Sequence, residues 1–409
     1  MQLVPVSVDS IRVRQPLPFP LMDKDGVLLA KKDFVIESRE DLVEIAERGG
    51  GLFIDVADSD VHHRAYVERL HGLVRDEKSL GEIASTQLSA NAPGGRNVQD
   101  HKAPDWLDLQ VQSNALLREK SPALFMERLE RLNGQLSLHC QRNPDGTLFA
   151  LIHLSASEIH LYSATHAMLV RVICGLAARE VLNWPIEMET QLCKAALTMN
   201  LGMTDLQDRL ARQIEAPSAE QRAAIKAHAA RSVDMLVAMG VTDPIWLQAV
   251  HEHHNPEPGS LQNKTPAQRI ARLIQRADMF GARLAPRASR VPTAPAAAMQ
   301  ACYFDENRQI DEAGAALIKA VGIYQPGAFV RLATDEVAIV VKRGTNTTTP
   351  RVAVLINRQG IPTVEPTVRD TSLPEYRIVA SVAHRDVKVQ INLERLLPLT
   401  AAPATNRFP

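Results

Sequence analysis

Apolar positions along this chain keep one period at the start, another through the middle and a third near the end. From Val4 to Leu21 short apolar stretches are interrupted by Pro5, Pro16, Pro18 and Pro20, and Asp25-Gly26 turns the chain into Val27-Leu28-Leu29, which predicts a hairpin. Ser38 and Asp41 have capping-box spacing, so a helix is expected up to Gly49-Gly50-Gly51, with a short strand at Leu52-Phe53-Ile54. A polar helix is expected from Val61 to about Asp76, and the Ser, Asn, Pro and Gly of residues 85–104 read as a linker.

From Trp106 to about Val321 the period is helical. Leu129, Leu132 and Leu136 share a helix face, Asn143-Pro144-Asp145-Gly146 marks a turn, and a long helical stretch is expected from about Leu154 to Leu182. The next helix runs from Glu187 to about Leu201. Ser218 with Gln221 opens a helix that stops at Gly240, Asp243-Pro244 opens one that Pro256 ends, and Thr265, Pro266 and Gln268 open a third. After Tyr324-Gln325-Pro326-Gly327 the period becomes two, and residues 329–332, 337–341, 351–356 and 377–380 read as strands. The expected fold is therefore mainly α: an α+β N-terminal module (1–84), a linker (85–104), a helical domain (105–322), a β-rich subdomain (323–400) and a loose tail (401–409).

Charge and composition narrow the function. Lys and Arg total 46 against 47 Asp and Glu, so no charge excess drives binding to a nucleic acid polymer or an anionic membrane. Cys140, Cys174, Cys193 and Cys302 form no CxxC pair, which argues against a disulfide scaffold or zinc ribbon and suits a reducing compartment. The opening MQLVPVSVDSIRVRQ lacks the layout of a signal peptide, and no apolar run approaches the ~18 residues of a membrane span. A cytoplasmic protein without a membrane span is expected. GxxxxGK[ST], GxGxxG and GxSxG are all missing, so nucleotide-fold and α/β-hydrolase readings find no support.

Several histidines and one aspartate fall on apolar stripes. His228 lies three residues after Ile225, His253 four after Ala249, His254 four after Val250 and Asp278 four after Ile274, so all four are expected to face inward. Buried polar groups need partners, and this set reads either as a hydrogen-bonded network or as a metal site. His62-His63 read as surface residues, Cys174 and Cys193 as buried spacers, and Trp106, Trp184 and Trp246 as anchors.

The order His166, His228, His253-His254, Asp278, with YSATH at 162–166, IKAHAARSVDML at 225–236, IQRADMFGARLAPRASR at 274–290 and YQPGAFVRL at 324–332, resembles an HD-GYP domain of the HD phosphohydrolase superfamily over roughly residues 106–340. That resemblance implies an all-helical HD-type domain. In active members two or three Fe or Mn ions activate a bridging water to hydrolyse cyclic di-GMP. It also implies metal-ligand roles for His166, His228, His253, His254 and Asp278.

Two departures change the expectation. Where the family has a stretch like LHDIGK, this chain has Leu197-Thr198-Met199-Asn200-Leu201-Gly202-Met203: Met199 replaces the histidine, Asn200 the bridging aspartate and Met203 the lysine. A thioether is a soft ligand poorly matched to Fe(II) or Mn(II), and asparagine lacks the charge. After His253-His254 the chain reads Asn255-Pro256-Glu257-Pro258-Gly259-Ser260-Leu261, with no Gly-Tyr-Pro. Asp205 is poorly placed to substitute, and Asp208 reads as a solvated charge. The expectation is a degenerate member with no complete dinuclear centre, holding one Fe or Mn ion at most, and acting as a regulatory platform for a signalling protein or a cyclic dinucleotide. The rival expectation is a phosphodiesterase using the five surviving ligand-type residues.

Overall fold

The computed structural model describes residues 3–6, 11, 13, 17, 20–24, 27–31, 34–48, 50–55, 104–157, 159–255, 257–288, 292–389 and 391–401. The polar helix expected at 61–76 with His62 and His63, the expected linker at 85–104 up to residue 103, and the tail beyond Ala401 lie outside the described residues. The chain divides into two units, Met1–Lys102 and Ala103–Pro409.

In the first unit a four-stranded antiparallel sheet has the order β1 (Leu3–Val6), β4 (Leu52–Asp55), β2 (Leu21–Met22), β3 (Leu28–Ala30). The β2–β3 pairing is the expected hairpin. Helix α1 (Arg39–Arg48) starts as its sequence predicts: Ser38 Oγ accepts from the Asp41 N–H and the Asp41 carboxylate accepts from the Ser38 N–H, each at 3.1 Å. Leu17, Leu21, Ile36, Leu42 and Leu52 form its small core.

The second unit is helical up to Val321. Its helices are α2 (Trp106–Leu117), α3 (Pro122–Arg142), α4 (Pro144–Ser157), α5 (Tyr162–Glu180), α6 (Ile186–Thr198), α7 (Thr204–Arg212), α8 (Ala219–Ala238), α9 (Pro244–Glu252), α10 (Pro266–Leu284), α11 (Pro295–Gln300) and α12 (Glu312–Val321). The capping boxes at Ser218/Gln221 and Thr265/Gln268 and the Asp243 cap all form. Helix α5 is buried along almost its whole length, with α4, α6, α10 and α12 packed around it and its buried Arg171 bonded to Asn133.

Two expectations fail here. The stretch from Leu154 to Leu182 is not one helix, because Leu161 takes a left-handed conformation (φ 53°) that separates α4 from α5. Asp208 is not a solvated charge. Its carboxylate accepts from the Ser163 N–H at 2.8 Å and Oγ at 3.0 Å and pairs with Arg118 at 2.6 Å, so it satisfies the free donors at the start of α5. Farther along, Asp311 is buried against Arg272 (2.5 Å) and Arg276 (3.3 Å), which Glu306 also bridges, tying α10 to the start of α12.

After Gly322 a five-stranded antiparallel sheet has the order β8 (Pro362–Asp370), β7 (Arg351–Ile356), β6 (Val337–Lys342), β5 (Phe329–Leu332), β9 (Ile378–Val382). One face, with Phe329, Ile339, Val341, Ala353 and Leu355, packs on Phe149 of α4 and on α13 (Leu393–Ala401). The other face gathers Val330, Leu332, Ala338, Val340, Val352 and Val354. Just past β6, Arg343 binds Asp145 of α4 at 2.8 Å, Glu180 of α5 at 2.7 Å and the Ala320 carbonyl of α12. No helix among the described residues is long and apolar enough to cross a membrane.

A candidate metal centre

Helices α8 and α9 bring His228, His253 and His254 together, with one ligand atom of each lying within 4.8 Å of the others. The sequence fixes two of these rings from within their own helical turn. His228 Nδ1 lies 2.5 Å from the Ile225 carbonyl, and His253 Nδ1 lies 2.6 Å from the Val250 carbonyl, each three residues back. A carbonyl only accepts, so both Nδ1 atoms carry the proton and both Nε2 atoms present lone pairs.

Those Nε2 atoms face each other at 3.2 Å. Burial lowers the pKa of His228 and pushes His253, further disfavoured by the nearby His254, down to about 3, so both rings are neutral at physiological pH. Two lone pairs at this separation repel, and a cation between them relieves the repulsion. His254 closes the trio, with its ring centroid 4.9 Å from that of His228 and 4.1 Å from that of His253. It is exposed, contrary to the inward position expected, because α9 ends at Glu252 and the helical stripe no longer governs it.

His166 and Asp278 form a separate pair. His166 Nε2 lies 2.7 Å from Asp278 Oδ1, and Tyr162 stacks on the imidazole with centroids 5.7 Å apart. Burial alone would raise the Asp278 pKa, but the hydrogen bond with His166 holds its carboxyl well below the ordinary range. Its carboxylate is therefore ionised, with Oδ1 engaged by His166.

The Met199-Asn200 stretch lies against α8. The Met199 carbonyl and the Gly202 N–H both bond to Ser232 Oγ, each at 2.9 Å, and the Met199 side chain is buried in the main apolar core. A Cβ on Gly202 would lie 2.7 Å from the His228 carbonyl oxygen. Only glycine allows this approach, which sets the backbone of His228. The donors brought together are three imidazoles with no carboxylate among them to bridge two ions. They fit a single ion on three imidazoles.

Periodicity pointed to the histidines but not to what orients them. The carbonyls of Ile225 and Val250, the Ser232 tether and the stacked Tyr162 carry no residue-type signal beyond a histidine three places after an apolar residue. All four cysteines are buried and unpaired, and Cys174 and Cys193 are spacers as expected. Surface cavities of about 500 Å³, beside Trp246 and Lys194, and about 460 Å³, beside Lys319 and Arg343, include none of the five predicted ligand residues.

No protein-family profile matches the chain, and no curated protein matches it. Among solved structures it is similar to Bd1817, an HDG"Y"P protein from Bdellovibrio bacteriovorus. The identity is 13%, the overlap covers 77% of this chain and 98% of that one, and the TM-score is 0.39, too loose a superposition to carry an assignment.

Proposed function

We propose that the second unit is an HD-GYP-like signalling domain that acts by binding and does not hydrolyse cyclic di-GMP. One observation carries this reading: where the resemblance places the defining His-Asp pair, the chain has a buried Met199 and an uncharged Asn200. The remaining His228, His253 and His254 hold one ion, and the platform around them binds a partner protein or a cyclic dinucleotide. The ordered caps, the intact helical core and the converging imidazoles support a fold kept for a purpose other than two-metal hydrolysis. The test is cyclic di-GMP hydrolysis by the full chain supplied with Mn(II) or Fe(II), beside calorimetric titration with the same dinucleotide. No turnover is expected. Turnover that disappears in His253→Ala would overturn the reading in favour of a phosphodiesterase built on the surviving ligands.

A further inference from the structure

We infer that the ion is zinc, held singly by His228, His253 and His254. This rests on the reading above that the centre is not dinuclear. Three features of the trio select the metal. Its donors are three imidazoles with no carboxylate among them, and nitrogen donors favour the later first-row metals over Mn(II), which relies on oxygen ligands. The number of donors suits an ion content with three protein ligands and one further position. Six-coordinate Mn(II) or Fe(II) would have to complete its shell with water around a donor set that lacks the carboxylate such ions favour, since Asp278 is engaged by His166 at 2.7 Å. The spacing also agrees: the Nε2 atoms of His228 and His253 are 3.2 Å apart, and two nitrogens bound tetrahedrally to zinc are about 3.3 Å apart.

The backbone prepares this set. With Nδ1–H of two rings bonded to the Ile225 and Val250 carbonyls, the tautomer that presents Nε2 is fixed before any ion arrives. The third ligand, His254, sits at the exposed end, so the remaining coordination position faces solvent and takes water or a small anion. Asp278 lies outside the trio and offsets the ion's charge without being one of its ligands.

The experiment titrates metal-free full-length protein with Zn(II) and with Mn(II) by calorimetry, and uses Co(II) as a spectroscopic probe of coordination number. One Zn(II) per chain is expected, bound roughly a hundredfold or more tighter than Mn(II). Co(II) should give the intense visible bands of a four-coordinate ion. His254→Ala, a substitution at an exposed position that leaves the core alone, should weaken Zn(II) binding at least about tenfold. His166→Gln, which keeps a donor to Asp278, should leave Zn(II) affinity nearly unchanged. Equal affinity for Mn(II), a pale six-coordinate Co(II) spectrum, or a loss in His166→Gln as large as in His254→Ala would overturn the inference. Two bound ions with dinucleotide turnover would remove the non-hydrolytic reading as well, whereas failure to bind any ion stoichiometrically would remove the zinc assignment and the single-ion site but leave the non-hydrolytic reading standing.

Discussion

Replacing Gly202 by alanine tests the coupling between the Met199-Asn200 stretch and the histidine helix. The new Cβ would lie 2.7 Å from the His228 carbonyl oxygen, 2.8 Å from the Ser232 nitrogen and 3.0 Å from the Arg231 Cβ. Two of these are backbone atoms of α8 and cannot rotate away, so the short helix at Leu201–Met203 and α8 must separate by roughly half an ångström. That movement strains the two hydrogen bonds on Ser232 Oγ, and overpacking of this kind costs about 1–3 kcal/mol. Gly134 is the internal control: it lies inside α3 and an added Cβ meets nothing within 4 Å. Gly134→Ala should stabilise by about 0.5–1 kcal/mol through helix propensity alone. Urea unfolding followed by far-ultraviolet circular dichroism compares the two. Equal midpoints for Gly202→Ala and the parent would refute the close approach on which the placement of His228 rests.

Other substitutions probe the frame around the centre. Asp311→Ala removes the buried partner of Arg272 and Arg276, leaving them Glu306, and removes the cap from Gly314, so it should cost about 1.5–3 kcal/mol, read as a fall in thermal midpoint; an unchanged midpoint would refute the buried network. Stability should also depend on His153 and His384, where the sheet meets α4. Burial depresses His153 to about 4 and, with His153 beside it, His384 to about 3. Both folded values lie below the ordinary value near 6.5, so the unfolded chain takes up protons first. Their contribution is complete above about pH 6.5 and is lost as pH falls toward the folded values, by at most about 1.4 kcal/mol per pH unit for each ring. Urea midpoints between pH 7.5 and 5 should fall less steeply in the His153→Gln, His384→Gln double variant than in the parent, and parallel slopes would exclude these rings as the cause. Asp208→Ala should lower stability by about 1–2 kcal/mol through loss of the α5 cap, measured in the same titration, and a neutral result would contradict that role.

Much of this arrangement was readable from residue types, because caps and periodicity are local. Ser218, Asp243 and Thr265 start their helices where the sequence places them, and His228 and His253 face inward from their spacing to Ile225 and Ala249. What escaped depends on non-local geometry or on prolines. Strand β8 contains Pro362 and Pro366 and survives as a strand only because it lies at the sheet edge, where a missing N–H need not break a ladder. Helix α13 holds Pro398, which argues against a helix from residue types alone; it forms because the sheet and α4 offer its apolar face a surface. His254 would face inward only if the helical stripe ran on past Glu252, and the helix ends two residues before it. Asp208 looked solvated because its partners, Ser163 and Arg118, are 45 and 90 residues away.

The guanidinium of Arg343 and the ring of Phe149 bear on how this chain could be divided or recombined. Arg343 leads out of the sheet and neutralises carboxylates on two core helices, while Phe149 projects from α4 into the interior of the sheet layer. Asn143 at the head of α4 is in turn bonded to Thr400 of α13 at 2.8 Å. A chain cut after Gly322 would leave Asp145 without its cation and Phe149 facing water. Separated after Gly322, residues 103–322 and 323–401 would each bare apolar surface that the other now covers.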